Sequence, residues 1–147
     1  MKRVLSIACL LFTFSLAVSL GAQGTAPTAG MKIATDADYA THMKEIQQMN
    51  GVMNKSIKAG DAAEAGKAAA RLEVLFKNVN AYWAAKKVED ATTASQTAVT
   101  SLQAVQKALG ANDMAAAETA RAAVGATCMA CHTAHREKLP EGGFRIK

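Results

Sequence analysis

Between Thr35 and Leu139 the chain runs without a proline, and larger apolar side chains return along it every three or four residues. Proline inside a helix removes a hydrogen bond and clashes with the preceding turn, so a long proline-free stretch with helical periodicity points strongly to helix. Alanine is abundant and runs of β-branched residues are few, which removes the side chains that favour strands. The chain reads as all-α.

Four segments separate at start and stop signals. Thr35 with Asp38 predicts a capping box that opens a first helix over about 36–58, with Tyr39, Met43, Ile46, Met49, Met53 and Ile57 at helical spacing and Gly60 at its end. Asp61 and Glu64 open a second, in which Leu72, Leu75, Phe76, Val79 and Trp83 form the clearest stripe in the chain. The third covers about 89–109, with Ala91, Ala94, Ala98, Leu102, Val105 and Leu109 on one side and Gly110 at its stop. The fourth starts near Asn112 or Asp113 and is expected to reach about Lys138, since Pro140 bars helix from the residue before it. Its inward stripe holds Met114, Ala117, Val124, Cys128, Cys131, His132, His135 and Leu139. Short connections between long helices favour antiparallel neighbours, so residues 36–139 are expected to form an antiparallel up-down-up-down four-helix bundle, with 140–147 as a C-terminal tail.

The chain opens with Lys2 and Arg3, an apolar run from Val4 to about Leu20, and small residues over Gly21 to Gly24. This pattern predicts a signal peptide at 1–22, cut somewhere in 21–24, and hence a periplasmic protein. As a membrane anchor the run is short of the roughly 20 residues a span needs, and Thr13, Ser15 and Ser19 dilute it, so no stable membrane insertion is expected after cleavage. Residues 23–35 mix Gly, Pro, Thr and Ala without periodicity and read as a flexible leader. Loss of Lys2 and Arg3 leaves 15 basic against 12 acidic residues, a net +3. That modest charge, with no dense basic run, argues against a nucleic-acid partner.

Cys9 leaves with the signal, so both remaining cysteines lie in one motif, "CMACH" at 128–132. On a helix, positions i, i+3 and i+4 share a face, so Cys128, Cys131 and His132 all point toward one ligand. Two thiols and an adjacent imidazole in this spacing form the c-type haem attachment pattern. Zinc is the sharpest rival, because His135 would supply a fourth donor. Four ligands within eight residues of one continuous helix, however, can hardly close a tetrahedron. A redox CxxC is the other, but that motif belongs at a strand-to-helix junction, and no strands are predicted here.

From helix order, length and the segment "CMACHTAHR", the sequence resembles the class II c-type cytochromes, four-helix bundles with the haem box near the C-terminus. The resemblance implies one covalently bound haem c, thioethers at Cys128 and Cys131, His132 as the proximal iron ligand and Arg136 as partner of a haem propionate. It also implies a first-helix residue on the distal side of the iron, with Met43 the first candidate, Met49 the second and Met53 the third. Where the family has an aromatic residue this chain has His135, read as packed beside the haem, and where some members carry a propionate-binding arginine it has Tyr39, with Lys44 as a substitute cation. His42 is expected to be exposed, because it points about 100° away from Met43.

The function expected on this resemblance is one-electron transfer between redox partner proteins, not enzyme catalysis. The alternative is a five-coordinate gas-binding protein of the cytochrome c′ type, and a homodimer is left open. After the signal the only large aromatics are Tyr39, Phe76, Tyr82, Trp83 and Phe144, so a planar apolar macrocycle would add much of the buried area. The haem-free chain is therefore predicted to be partly unfolded, checked by circular dichroism. A cooperative melt at the temperature of the haem-loaded protein would refute this.

Overall fold

The computed structural model describes residues 32–147; the expected signal peptide and most of the expected leader lie outside the described residues. Four helices follow one another: α1 at Asp36–Ala59, α2 at Ala62–Ala85, α3 at Glu89–Gly110 and α4 at Met114–His135, and a two-stranded hairpin of β1, Arg136–Lys138, and β2, Phe144–Ile146, ends the chain. Among the described residues no helix is long and apolar enough to cross a membrane.

The caps are the ones that the sequence signals. Thr35 Oγ1 accepts from the Asp38 amide at 3.1 Å, and Asp38 Oδ2 accepts from the Thr35 amide at 2.9 Å, so two orphan donors of α1 are satisfied reciprocally. Gly60 ends α1 at φ 74°, a left-handed conformation glycine adopts without a Cβ penalty. Asp61 and Asp113 cap α2 and α4 by accepting from Glu64 and Ala116 amides at 3.0 and 2.9 Å. Gly110 was expected as the stop of α3; it is instead the last helical residue, and Asn112 takes the left-handed position at φ 56°.

Side-chain ties run in opposite directions along successive helices, which makes neighbours antiparallel. Arg71 of α2 binds Glu45 of α1 at 2.6 Å, whereas Tyr82 and Trp83 near the other end of α2 reach Asp36 and Tyr39 at the start of α1. On the α2–α3 side, Asn80 donates to Thr92 O at 2.8 Å and Glu73 accepts from Gln103 and Gln106 at 3.0 and 2.7 Å. His135 at the end of α4 meets Asp90 at the start of α3.

The core runs along this bundle. Met53, Leu72, Leu75, Leu102, Val105 and Val124 are its largest fully enclosed side chains, and buried alanines such as Ala65, Ala69, Ala98 and Ala117 let the helices approach closely. Ile33, in the stretch read as leader, is also buried against this core. The seams are unequal: α2 packs extensively against α1 and α3, and α3 against α4, but α1 and α4 scarcely touch. Accordingly α4 contributes only Ala117 and Val124 as buried residues.

The last helix is shorter than its expected reach to Lys138. It stops at His135 because Arg136 turns extended, at φ −120° and ψ 130°, and residues 136–138 pair with the tail instead. Pro140 starts the reversal, and Gly142 and Gly143, at φ 96° and 84°, complete a turn that few other residues could make. Ile146 packs on the core, so the hairpin is tied to the bundle.

Glu73 tests the α2–α3 seam. Lys77, first, then Gln106 and Gln103 bond its carboxylate and draw its pKa down from 4.5 to about 2. A folded-state pKa below the unfolded one stabilises above the unfolded value and is lost as pH falls through the folded one. Urea midpoints should therefore decline between pH 4.5 and 2 in the parent. Glu73→Gln should flatten that decline and cost about 1 kcal/mol at neutral pH.

Candidate functional site

The last two turns of α4 bring Cys128, Cys131, His132 and His135 onto one half-buried stripe, continuing the line of buried Val124. No proline interrupts this helix, and its period carries both thiols and the imidazole to the same side. Both cysteines are free.

Burial governs the protonation of this stripe. Burial, then the neighbouring Cys131, pushes the Cys128 thiol up, and burial with the Asp90 charge does the same to Cys131. Burial, helped by the Arg136 charge, holds His132 below its ordinary value, so its imidazole is neutral with a lone pair to offer. Redox-active CxxC pairs need a thiol whose pKa is drawn down; here both move the other way, which disfavours disulfide exchange. The stripe is suited to bond formation through two thiols and to ligation through one imidazole. Among the described residues, no three His, Cys, Asp or Glu side chains are grouped so as to hold a metal ion.

Behind the stripe stands Trp83. Its ring lies 5.1 Å from the His135 ring and 5.7 Å from that of Tyr39, and its Nε1 donates to Tyr39 Oη at 3.0 Å. Tyr82 completes the cluster, 4.9 Å from Tyr39, and donates its own hydroxyl to Asp36 Oδ1 at 3.0 Å. His135 Nε2 meets Asp90 Oδ2 at 2.8 Å, and that bond is the first cause of the lowered pKa of Asp90. Burial raises the Tyr39 hydroxyl well above its usual range, and the nearby Cys131 adds to this.

The methionines of α1 sit in different settings. At about 100° per residue, Met49 lies about 40° around α1 from Glu45, which binds α2, whereas Met43 lies about 160° from it, on the side turned away from α2. Met43 is half-buried against the core, and Met53 is wholly enclosed within it. Asn50 and Asn54 fall within about 20° of Met43 on the same face, and both keep a buried Oδ1 with no hydrogen-bond partner.

One expectation changes. His42 is 3% exposed rather than open to solvent, because it lies on the α2 side of α1, with Nδ1 3.0 Å from Asp38 O and Nε2 3.4 Å from Asn78 Nδ2. Arg136 stands beside His132 but its guanidinium rests 4.1 Å over the Phe144 ring, in the hairpin that the sequence left unassigned. Lys44 is exposed. The Tyr39–Trp83–His135 grouping went unseen in the sequence, where these residues belong to three separate stripes; only the family-position substitutions at Tyr39 and His135 hinted at it.

The raised thiols carry a prediction for the haem-free protein. Iodoacetamide labelling of Cys128 and Cys131 in the fraction that keeps its helices should accelerate as pH rises past 9.0, the ordinary thiol value, with no plateau below it; rapid labelling at neutral pH of a fully helical sample would contradict the burial argument.

No protein-family model matches the chain, and no curated protein and no solved structure matches it.

Proposed function

We propose that this chain is an exported, periplasmic monohaem c-type cytochrome that carries single electrons, with haem c joined to Cys128 and Cys131 and its iron ligated by His132 and Met43. The observation that carries this reading is the juxtaposition on two helices: two thiols and a neutral imidazole on one stripe of α4, and a methionine on the α1 side turned away from α2. The seam between these helices is also the one they scarcely close.

The donor set fits the group. Two protonated thiols can each add to a vinyl group, an imidazole lone pair and a thioether are both iron ligands, and the aromatic cluster behind His135 supplies an apolar wall. The unpartnered oxygens of Asn50 and Asn54 lie on this face of α1, where a ligand or water would complete them.

When bound, the haem supplies a one-electron iron couple. Cys128 and Cys131 would keep it from being lost, and His132, on a helix anchored through His135 to α3, would ligate its iron. Met43 would hold the iron from α1, and a centre held by two side chains would carry electrons without a place for substrate. A thioether ligand and burial both favour the less charged ferrous state and raise the potential. Arg136, beside His132, is the cation offered to a propionate. Partners would be redox proteins met in brief encounters, steered by surface charge.

Intact mass and optical spectra of the purified protein in both oxidation states test this. A haem adduct with sharp low-spin bands is expected, and Met43→Ala should turn the spectrum high-spin while Met49→Ala does not. A mass without haem rejects the proposal. High-spin bands that change on adding carbon monoxide would favour the gas-binding alternative.

A further inference from the structure

We infer that Tyr39 is a positioning residue whose hydroxyl donates to a carboxylate of the haem seated beside Cys131. This rests on the reading above and deepens it, assigning a role to a residue that the motif does not include.

The argument starts from hydrogen-bond accounting. A tyrosine hydroxyl has one proton to give, and its oxygen can accept. Tyr39 Oη accepts from Trp83 Nε1 at 3.0 Å, and Tyr39 as a whole is only 9% exposed. Among the described residues its own proton has no acceptor. Its neighbour Tyr82 differs, having spent its proton on Asp36. The two carboxylates bordering the cluster, Asp36 and Asp90, accept from Tyr82 and meet His135, and neither receives the Tyr39 proton. A buried donor left without a partner is costly, so such groups in folded proteins are satisfied by protein, water or ligand.

Position selects the ligand. Trp83 touches Tyr39 on one side and His135 on the other, which brings the Tyr39 side chain to the α1–α4 seam at the level of the box. Trp83 also fixes the hydroxyl oxygen, so the free proton is restricted to the remaining directions around it. Haem is a hydrocarbon plane except for its metal centre and its two carboxylates, and only the carboxylates are strong acceptors. A donor aimed at one of them disperses its negative charge near the iron, and a less negative surrounding favours the ferrous state.

Tyr39→Phe tests this, because it deletes the hydroxyl alone and keeps the ring against Tyr82 and Trp83. In the haem-loaded full chain the reduction potential should shift downward and the urea midpoint should fall. In the haem-free chain, where the proton has no carboxylate to meet and only the acceptor of Trp83 Nε1 is lost, the urea midpoint should fall by less. Tyr82→Phe, which removes a hydroxyl from the same cluster, should leave the potential unchanged. An unchanged potential in haem-loaded Tyr39→Phe would overturn the inference in favour of a water acceptor, as would an equal loss of structure with and without haem. Absence of haem from the parent's mass would overturn the underlying reading and this one together.

Discussion

Three helices meet at one indole, and the fourth is tied to it through His135. Trp83 of α2 packs against Tyr39 of α1 and His135 of α4, and His135 in turn holds Asp90 of α3. Apolar packing alone is non-directional and would tolerate some rotation of each helix. The Trp83–Tyr39 and His135–Asp90 hydrogen bonds do not, because each requires a donor and an acceptor at about 3 Å. This end of the bundle is therefore held in one register, and it is the end where Cys128, Cys131 and His132 lie. The box inherits its orientation from a cluster placed directly behind it.

The other governing feature is the imbalance of the seams. Large apolar residues crowd the α1–α2 and α2–α3 contacts, while α4 buries only Ala117 and Val124. A helix this lightly buried gains little from its own packing. Its attachment comes from α3 and from the hairpin, whose Ile146 reaches the core. The weak seam is thus the one at which the cost of opening is smallest and where unsatisfied groups gather, namely the Asn50 and Asn54 oxygens and the Tyr39 proton. Proposed haem binding at this seam would supply apolar area and an acceptor for the Tyr39 proton, while the Asn50 and Asn54 oxygens, themselves acceptors, call for a donor such as water.

Helix limits were legible because each rests on local chemistry. Thr35 with Asp38, Gly60, Asp61 and Asp113 act within four residues of themselves, and their roles follow from side-chain type. The CMACH stripe was legible for the same reason, since a 3.6-residue period carries its three donors to one face. The end of α4 was not. Whether Arg136 continues a helix or pairs with Ile146 depends on a segment that folds back across Gly142 and Gly143, and a periodic apolar pattern is blind to that competition.

The burial of His42 and the Tyr39–Trp83–His135 grouping belong to the same class of fact. Helical periodicity assigns a residue to a face of its own helix, but which neighbour that face meets depends on the register between helices. From the sequence alone come four helices, their caps, and two thiols with an imidazole on a shared face, because backbone hydrogen bonding and side-chain period are local. The tertiary structure decided that Met43 turns away from α2 while Met53 is enclosed, that Arg136 rests on Phe144, and that Trp83 ties the box to three other helices. Those outcomes depend on contacts between residues more than 40 positions apart in several cases, and only packing brings such residues together.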